Sequence, residues 1–303
     1  MGTTYTVKIN TSQSHYKNDL KSGLDSILVK INSRMSTYIP DSEIMQFNNL
    51  KVGESVSVSD ELIMILEKSY DITEMTDSAF DISVGPLVEL WGFGFSDKIL
   101  SVPNKDVIDD YVKKINIIPY KILDNNQLFK TRESTLDLSA IAKGYAVDVL
   151  SSYLLSLGLF DHMIDIGGEV YCSGKNKNGD WSIGIQYPDE YIYNSSIDVI
   201  LLSDKAVATS GNYRNKIVIE GVPYTHIINP KTGYPITHNI ISATVIADNC
   251  MTADAYATAL MVMEKEQGKE FIESKDNTEA VIFYRDNKNI KSLKTDGFND
   301  YGN

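Results

Sequence analysis

Apolar residues along this chain follow two rhythms, every third or fourth position in some stretches and every second position in others. Residues 3–10 alternate, with Tyr5, Val7 and Ile9 on one side, and predict a strand. Over 16–33, Leu20, Leu24, Ile27, Leu28 and Ile31 recur at helical spacing. Residues 60–76 predict a second helix capped by Ser59 or Asp60. A weaker one follows Pro103, led by Asp106, Val107 and Ile108. Strand patterns at 116–123 and 128–131 flank Asp124-Asn125-Asn126, a turn signal. The strongest helical pattern runs over 140–157 and stops at Gly158. Short strand patterns follow at 162–166, 169–173, 181–186, 196–202, 206–209, 216–220 and 242–247. Helices over 252–263 and 266–274 precede a hairpin near 279–294. Helices and strands do not strictly alternate. The expected fold class is therefore α+β, with mixed, largely antiparallel sheets and flanking helices. We expect one domain over 1–303, in one or two lobes, with the site in a cleft between lobes.

Composition narrows the function classes. Hydrophobic residues make up 43% of the 303, enough for a sizeable core. The net charge of −13 leaves no basic face for nucleic acid, so no nucleic-acid partner is expected. Cys172 and Cys250 lie far apart and fit either one disulfide or two buried thiols; no paired-cysteine metal signature is present. No apolar run reaches the roughly 18 residues of a membrane helix. No signal-peptide pattern is visible, and the chain opens directly on a strand pattern.

Three segments carry candidate chemistry. In Leu-Asp-Leu-Ser-Ala-Ile-Ala-Lys-Gly at 136–144, Asp137 precedes the helix, Ser139 is a candidate cap and Lys143 falls in the first turn. A helix start suits phosphate and disfavours a cation, so a bound anion would account for Lys143. A solvated lysine beside a capping Asp is the competing explanation. In Thr-Ala-Asp-Ala-Tyr-Ala-Thr at 252–258, Asp254 and Thr258 stand four apart on one helix face. A carboxylate with a hydroxyl is oxygen-only ligation that suits Mg²⁺; a cap and a surface residue would look the same. In Thr-His-Ile-Ile-Asn-Pro-Lys-Thr-Gly-Tyr-Pro at 225–235, His226 ends a strand at a turn, where it would serve as a base for a hydroxyl. His15, His162 and His238 lack such context and read as surface or packing residues.

Together with Met-Gly-Thr-Thr-Tyr at 1–5, these segments resemble the ApbE family of flavin transferases, from Met1 to about Met263. The resemblance implies an ApbE-like fold and Mg²⁺-dependent transfer of FMN from FAD to a Thr or Ser hydroxyl of a target protein, releasing AMP. It implies FAD contacts at Met1, Tyr38, Ala79, Phe80, Asp81, Asp137, Lys143 and Ile228, with Asn48 nearby. It implies Mg²⁺ ligation by the Ala140 carbonyl, Asp254 and Thr258, and His226 as catalytic base. Ile-Asp-Ile-Gly-Gly at 164–168 and Ser210, Asn212 and Arg214 are further ApbE-like marks. Two departures stand out: Ala257 where many relatives carry a second Asp, and Asn229-Pro230 where many carry Asp-Pro. The family further implies a leader upstream and anchoring outside the cytoplasm at the bacterial membrane, with an exported or membrane redox protein as acceptor. The alternatives are a cytoplasmic location, a FAD pyrophosphatase releasing FMN and AMP, or a FAD-binding protein without turnover.

Overall fold

The structure, a computed structural model, describes residues 2–11, 17–94, 99, 101–115, 117–188, 196–212 and 216–302. The first half of the chain forms β1 (Tyr5–Ile9), α1 (Lys17–Met35), α2 (Glu43–Asn48), β2 (Ser55–Ser57), α3 (Asp60–Met75), α4 (Gly85–Leu90), α5 (Lys105–Val112), β3 (Tyr120–Leu123), β4 (Gln127–Lys130) and α6 (Ala142–Ser156). There follow β5 (His162–Ile166), β6 (Glu169–Ser173), β7 (Trp181–Gln186), β8 (Ser196–Leu202), β9 (Lys205–Gly211), β10 (Lys216–Ile219), β11 (Val222–Thr225), β12 (Ile240–Ala247), α7 (Cys250–Val262), α8 (Lys265–Glu273), β13 (Glu279–Asp286) and β14 (Asn289–Lys294). The α+β expectation holds, and the predicted elements are present with ends moved by a few residues. The pattern gives no sign of α2, α4 and β2, which are too short to show a period, while the strand expected before His226 is β11. Ser59 caps α3, its hydroxyl accepting from Leu62 N–H. Ser139 does not cap α6: that helix begins at Ala142 after Ile141, without a side-chain cap.

The chain divides into two compact units, Met1–Lys30 with Ile141–Tyr213 and Asn239–Asn303, and Ile31–Ala140 with Arg214–His238. The first holds a seven-stranded sheet in the order β1-β5-β6-β9-β12-β13-β14, every neighbour antiparallel. Helices α6 and α7 pack on this sheet and on each other. Trp181, Ile185, Ile200 and Leu202 of the β7–β8 hairpin cluster with Phe298 and with the sheet residues Met163, Val207, Ile246 and Phe283. Strand β12 is buried at every position, so its sequence lacks the alternation of a half-exposed strand. Helix α7 buries Ala253, Asp254, Ala255, Tyr256, Ala257, Ala259, Leu260 and Met261, a helix enclosed nearly all round.

The second unit holds the β2-β4-β3 sheet, the β10–β11 hairpin and helices α2 to α5. Its core around Trp91 gathers Leu87, Ile108, Ile115, Ile219 and Ile228. The indole N–H of Trp91 donates to the Gly233 carbonyl at 2.8 Å. Gly233 has φ +74°, and a Cβ there would lie 2.6 Å from Ile108. Only glycine allows that turn to sit against α5.

Gly144 sets how closely α6 meets α7. A Cβ at that position would lie 2.3 Å from the Cys250 carbonyl oxygen, a backbone atom that cannot rotate away. Gly144→Ala is expected to force the helices apart and cost roughly 1–3 kcal/mol. The urea midpoint of unfolding checks this; an unchanged midpoint would mean that the two helices separate freely.

Candidate active site

The α6–α7 contact buries a cluster of charges. Lys143 lies in the first turn of α6, and Gly144 N–H donates to Asp254 Oδ2 at 3.0 Å. Lys143 Nζ is 3.6 Å from Asp254 Oδ1 and 3.3 Å from Glu169 Oε1. Both carboxylates are buried, at 2% and 4% exposure. The anion that Lys143 answers in this fold is thus two of the protein's own carboxylates. Burial raises the Asp254 pKa against the pull of Lys143 and the Gly144 N–H. Burial likewise pushes the Glu169 pKa up, with Lys143 opposing. Burial works against the Lys143 charge, yet Asp254 and Glu169 outweigh it and hold the ammonium above its usual pKa.

A third carboxylate, Asp148, closes the start of α7. Its oxygens accept from Cys250 N–H at 2.8 Å and Met251 N–H at 2.9 Å. Burial pushes its pKa up to about 6 despite those two bonds. Asn249 supplies the cap, its side chain accepting from Thr252 N–H. Cys172 and Cys250 are both buried free thiols, and burial raises the pKa of each. The disulfide alternative is thereby set aside, and neither thiol is a nucleophile.

Asp254 and Thr258 share the helix as expected, with Thr258 Oγ1 at 3.2 Å from Ser210 Oγ. The donors fit a hard cation in two respects. The cluster holds two buried carboxylates for one ammonium, and Glu169 Oε2 is buried without a hydrogen-bond partner among the described residues. Also among the described residues, no group of three or more His, Cys, Asp or Glu is placed to hold an ion. The oxygen-only donors Asp254 and Thr258 suit Mg²⁺ better than Zn²⁺. Ala257 is fully buried, leaving no carboxylate at that place.

In the second unit, Asn48 clamps the irregular segment before Asp137. Its Nδ2 donates to the Leu136 carbonyl at 2.9 Å, and its Oδ1 accepts from Leu136 N–H at 2.7 Å. Asp137 N–H donates to the Ile82 carbonyl at 2.7 Å. The Ala79-Phe80-Asp81 stretch and Asp137 are therefore neighbours. Asp81 accepts from Ser83 N–H and Oγ, each at 2.7 Å, fixing the turn after it. Asp137 Oδ1 accepts from Ser139 N–H at 2.8 Å. Ala79 and Phe80 are buried, Ala140 is half-buried, and Tyr38 is 73% exposed on the α1–α2 loop.

His226 follows directly on β11, at the expected strand end, with its ring 6.3 Å edge-on from Phe93. Ile228 bridges Pro235 across the turn, Asn229 N–H donates to the Tyr234 carbonyl at 2.9 Å, and Trp91 stacks near Tyr224 and Tyr234. His162 is a packing residue, as read: Leu159 O holds its Nδ1 and Ser151 Oγ its Nε2, each at 2.8 Å. Met1, Arg214 and His15 lie outside the described residues. The structure brings Lys143 and Asp254 together in one unit, and Asp137 with the 79–81 stretch in the other. Two residues of the first cluster escaped the sequence reading, Glu169 and Asp148. Their signals were present: an acid directly after a double glycine, and one acid in an otherwise apolar stretch of α6.

The chain belongs to the ApbE family, whose sequence profile matches residues 1–282. It is 38% identical over 304 aligned residues to the FAD:protein FMN transferase of Vibrio cholerae, covering 99% of this chain and 88% of that protein. Against the Escherichia coli protein of the same name the identity is 32%, over 97% and 84%. The solved flavin transferase ApbE from Vibrio cholerae matches with a TM-score of 0.88 at 35% identity, over 99% and 96% of the two chains. The ApbE protein of Thermotoga maritima matches at 0.89 and 28% identity, over 100% and 96%.

The charge cluster gives Lys143 a structural part beside any role toward a ligand. Lys143→Met leaves Asp254 and Glu169 without their shared cation. Because 28% of the lysine side chain is open to solvent, the loss should fall below that of a fully buried pair, at roughly 2 kcal/mol. Urea denaturation reads it, and an unshifted midpoint would show that water already screens the carboxylates.

Proposed function

We propose that this protein transfers the FMN part of FAD to a Thr or Ser hydroxyl of a partner protein, with release of AMP. The observation that carries the reading is the ApbE membership over 1–282. It is supported by relatives named FAD:protein FMN transferase at up to 38% identity. The Lys143–Asp254–Glu169 cluster supplies a cation and an oxygen-donor site suited to a pyrophosphate and its metal. In this reading Lys143 receives the pyrophosphate, while Tyr38, the 79–81 stretch, Asp137, Ile228 and the Met1 position contact FAD. Asp254, Thr258 and the Ala140 carbonyl hold Mg²⁺, which when bound offsets charge on the phosphate oxygens.

The acceptor oxygen forms a bond to the FMN phosphorus. The bond from that phosphorus to the bridging oxygen breaks, and AMP leaves with the electron pair. The acceptor proton passes to the His226 imidazole. His226 must be neutral to act, so the rate should fall on the acid side. The acceptor is proposed to be an exported or membrane redox protein, modified by this enzyme outside the cytoplasm at a membrane-anchored location.

The direct test is incubation with FAD, Mg²⁺ and a candidate acceptor, followed by mass analysis of the acceptor and measurement of AMP. Acceptor carrying FMN with matching AMP is the expected result. FMN and AMP free in solution with unmodified acceptor would instead identify a pyrophosphatase, and FAD recovered intact would leave a binding protein. EDTA and Asp254→Asn should each abolish turnover; activity surviving both would end the metal assignment.

His226→Ala should lower the transfer rate by at least about 10²-fold while FAD still binds, because the lost interaction acts on the transition state. Single-turnover rates and the FAD Kd separate the two effects. A near-normal rate with weakened FAD binding would make His226 a packing residue.

A further inference from the structure

Glu169 stands apart from the other buried carboxylates of its unit. Asp148 and Asp254 each accept backbone N–H groups of a neighbouring helix. Glu169 has Lys143 at 3.3 Å from one oxygen, and its other oxygen accepts no hydrogen bond among the described residues. A buried carboxylate so thinly compensated costs stability, and uncharged residues of like shape commonly serve a fold as well or better. Its place is nonetheless tightly set. It opens β6 immediately after Gly167 and Gly168, both at positive φ, and Gly168 N–H is held by Asp165 Oδ1 at 2.9 Å.

Lys143 needs what Glu169 offers. Its stem is long and rotatable, and it stands in the first turn of α6, where the helix dipole repels a cation. Asp254 contacts it at 3.6 Å, well beyond the roughly 2.7–2.9 Å of a charge-assisted hydrogen bond. Glu169, arriving from a different element, adds a second carboxylate contact at 3.3 Å.

We infer that Glu169 is a positioning residue: with Asp254 it holds the Lys143 ammonium at the point where the pyrophosphate of FAD is received. The inference rests on the proposed role of Lys143 in FAD binding. Its signature is a sign. A carboxylate near a pyrophosphate repels it, so simple Coulomb reasoning says that neutralising Glu169 tightens FAD binding. Positioning says that it loosens binding.

The test is titration calorimetry with FAD on wild type, Glu169→Gln, Lys143→Met and the double variant, each with a thermal melt. Glu169→Gln should weaken FAD binding about tenfold, the loss of part of one charged contact, while its melting temperature stays level or rises. In the Lys143→Met background the same change should leave the FAD Kd unmoved, because the residue it positions is gone. Glu169→Ala serves as a second variant and must fall on the same side. Tighter FAD binding by Glu169→Gln, or an equal effect with and without Lys143, overturns the inference and leaves the proposed function standing. A lowered melting temperature with an unchanged Kd overturns it too, reducing Glu169 to a structural role. Wild type that fails to bind FAD at all overturns both readings together.

Discussion

The close approach of α6 and α7 at Gly144 is the constraint on which the first unit depends. Without a side chain at that position, the start of α6 lies against the Cys250 carbonyl, near enough for the Gly144 N–H to meet Asp254. That single hydrogen bond ties the N-terminus of one helix to a buried carboxylate in the other. Lys143, one residue earlier, is then carried to the same carboxylate and to Glu169. Close packing and charge burial are thus one arrangement: the helices cannot separate without exposing the charges.

In each unit, buried polar side chains are held largely by backbone groups. Asp148 takes two N–H groups at the start of α7, Asn48 takes both backbone groups of Leu136, and Asp81 takes Ser83. Side chains satisfied this way need no water and hold loops as firmly as strands. The stretches that carry Asp137 and His226 are irregular in backbone, yet each is pinned at several points. Loops of this kind present chemistry from a fixed scaffold. Glu169 differs from them: one of its oxygens meets Lys143 at 3.3 Å, and the other accepts no hydrogen bond among the described residues.

The hydrophobic rhythm by itself determined the long elements, because a buried helix face or strand face leaves a period in the sequence. It determined the double-glycine turn, the strand end at His226 and the four-residue spacing of Asp254 and Thr258, which are local facts. It did not reveal α2, α4 and β2, which are too short to carry a period, or the true start of α6, where no side-chain cap marks the boundary. Only the tertiary structure decided what Lys143 meets. In sequence, a lysine at a helix start fits either a bound anion or a solvated side chain beside a capping Asp. In the fold, Asp254 lies 111 positions further along and Glu169 26 positions further along, and both reach it because the sheet order and a missing Cβ bring three elements to one point. Spacing along a chain reports neighbours on one helix or strand; pairing between buried charges depends on packing, which no local pattern encodes.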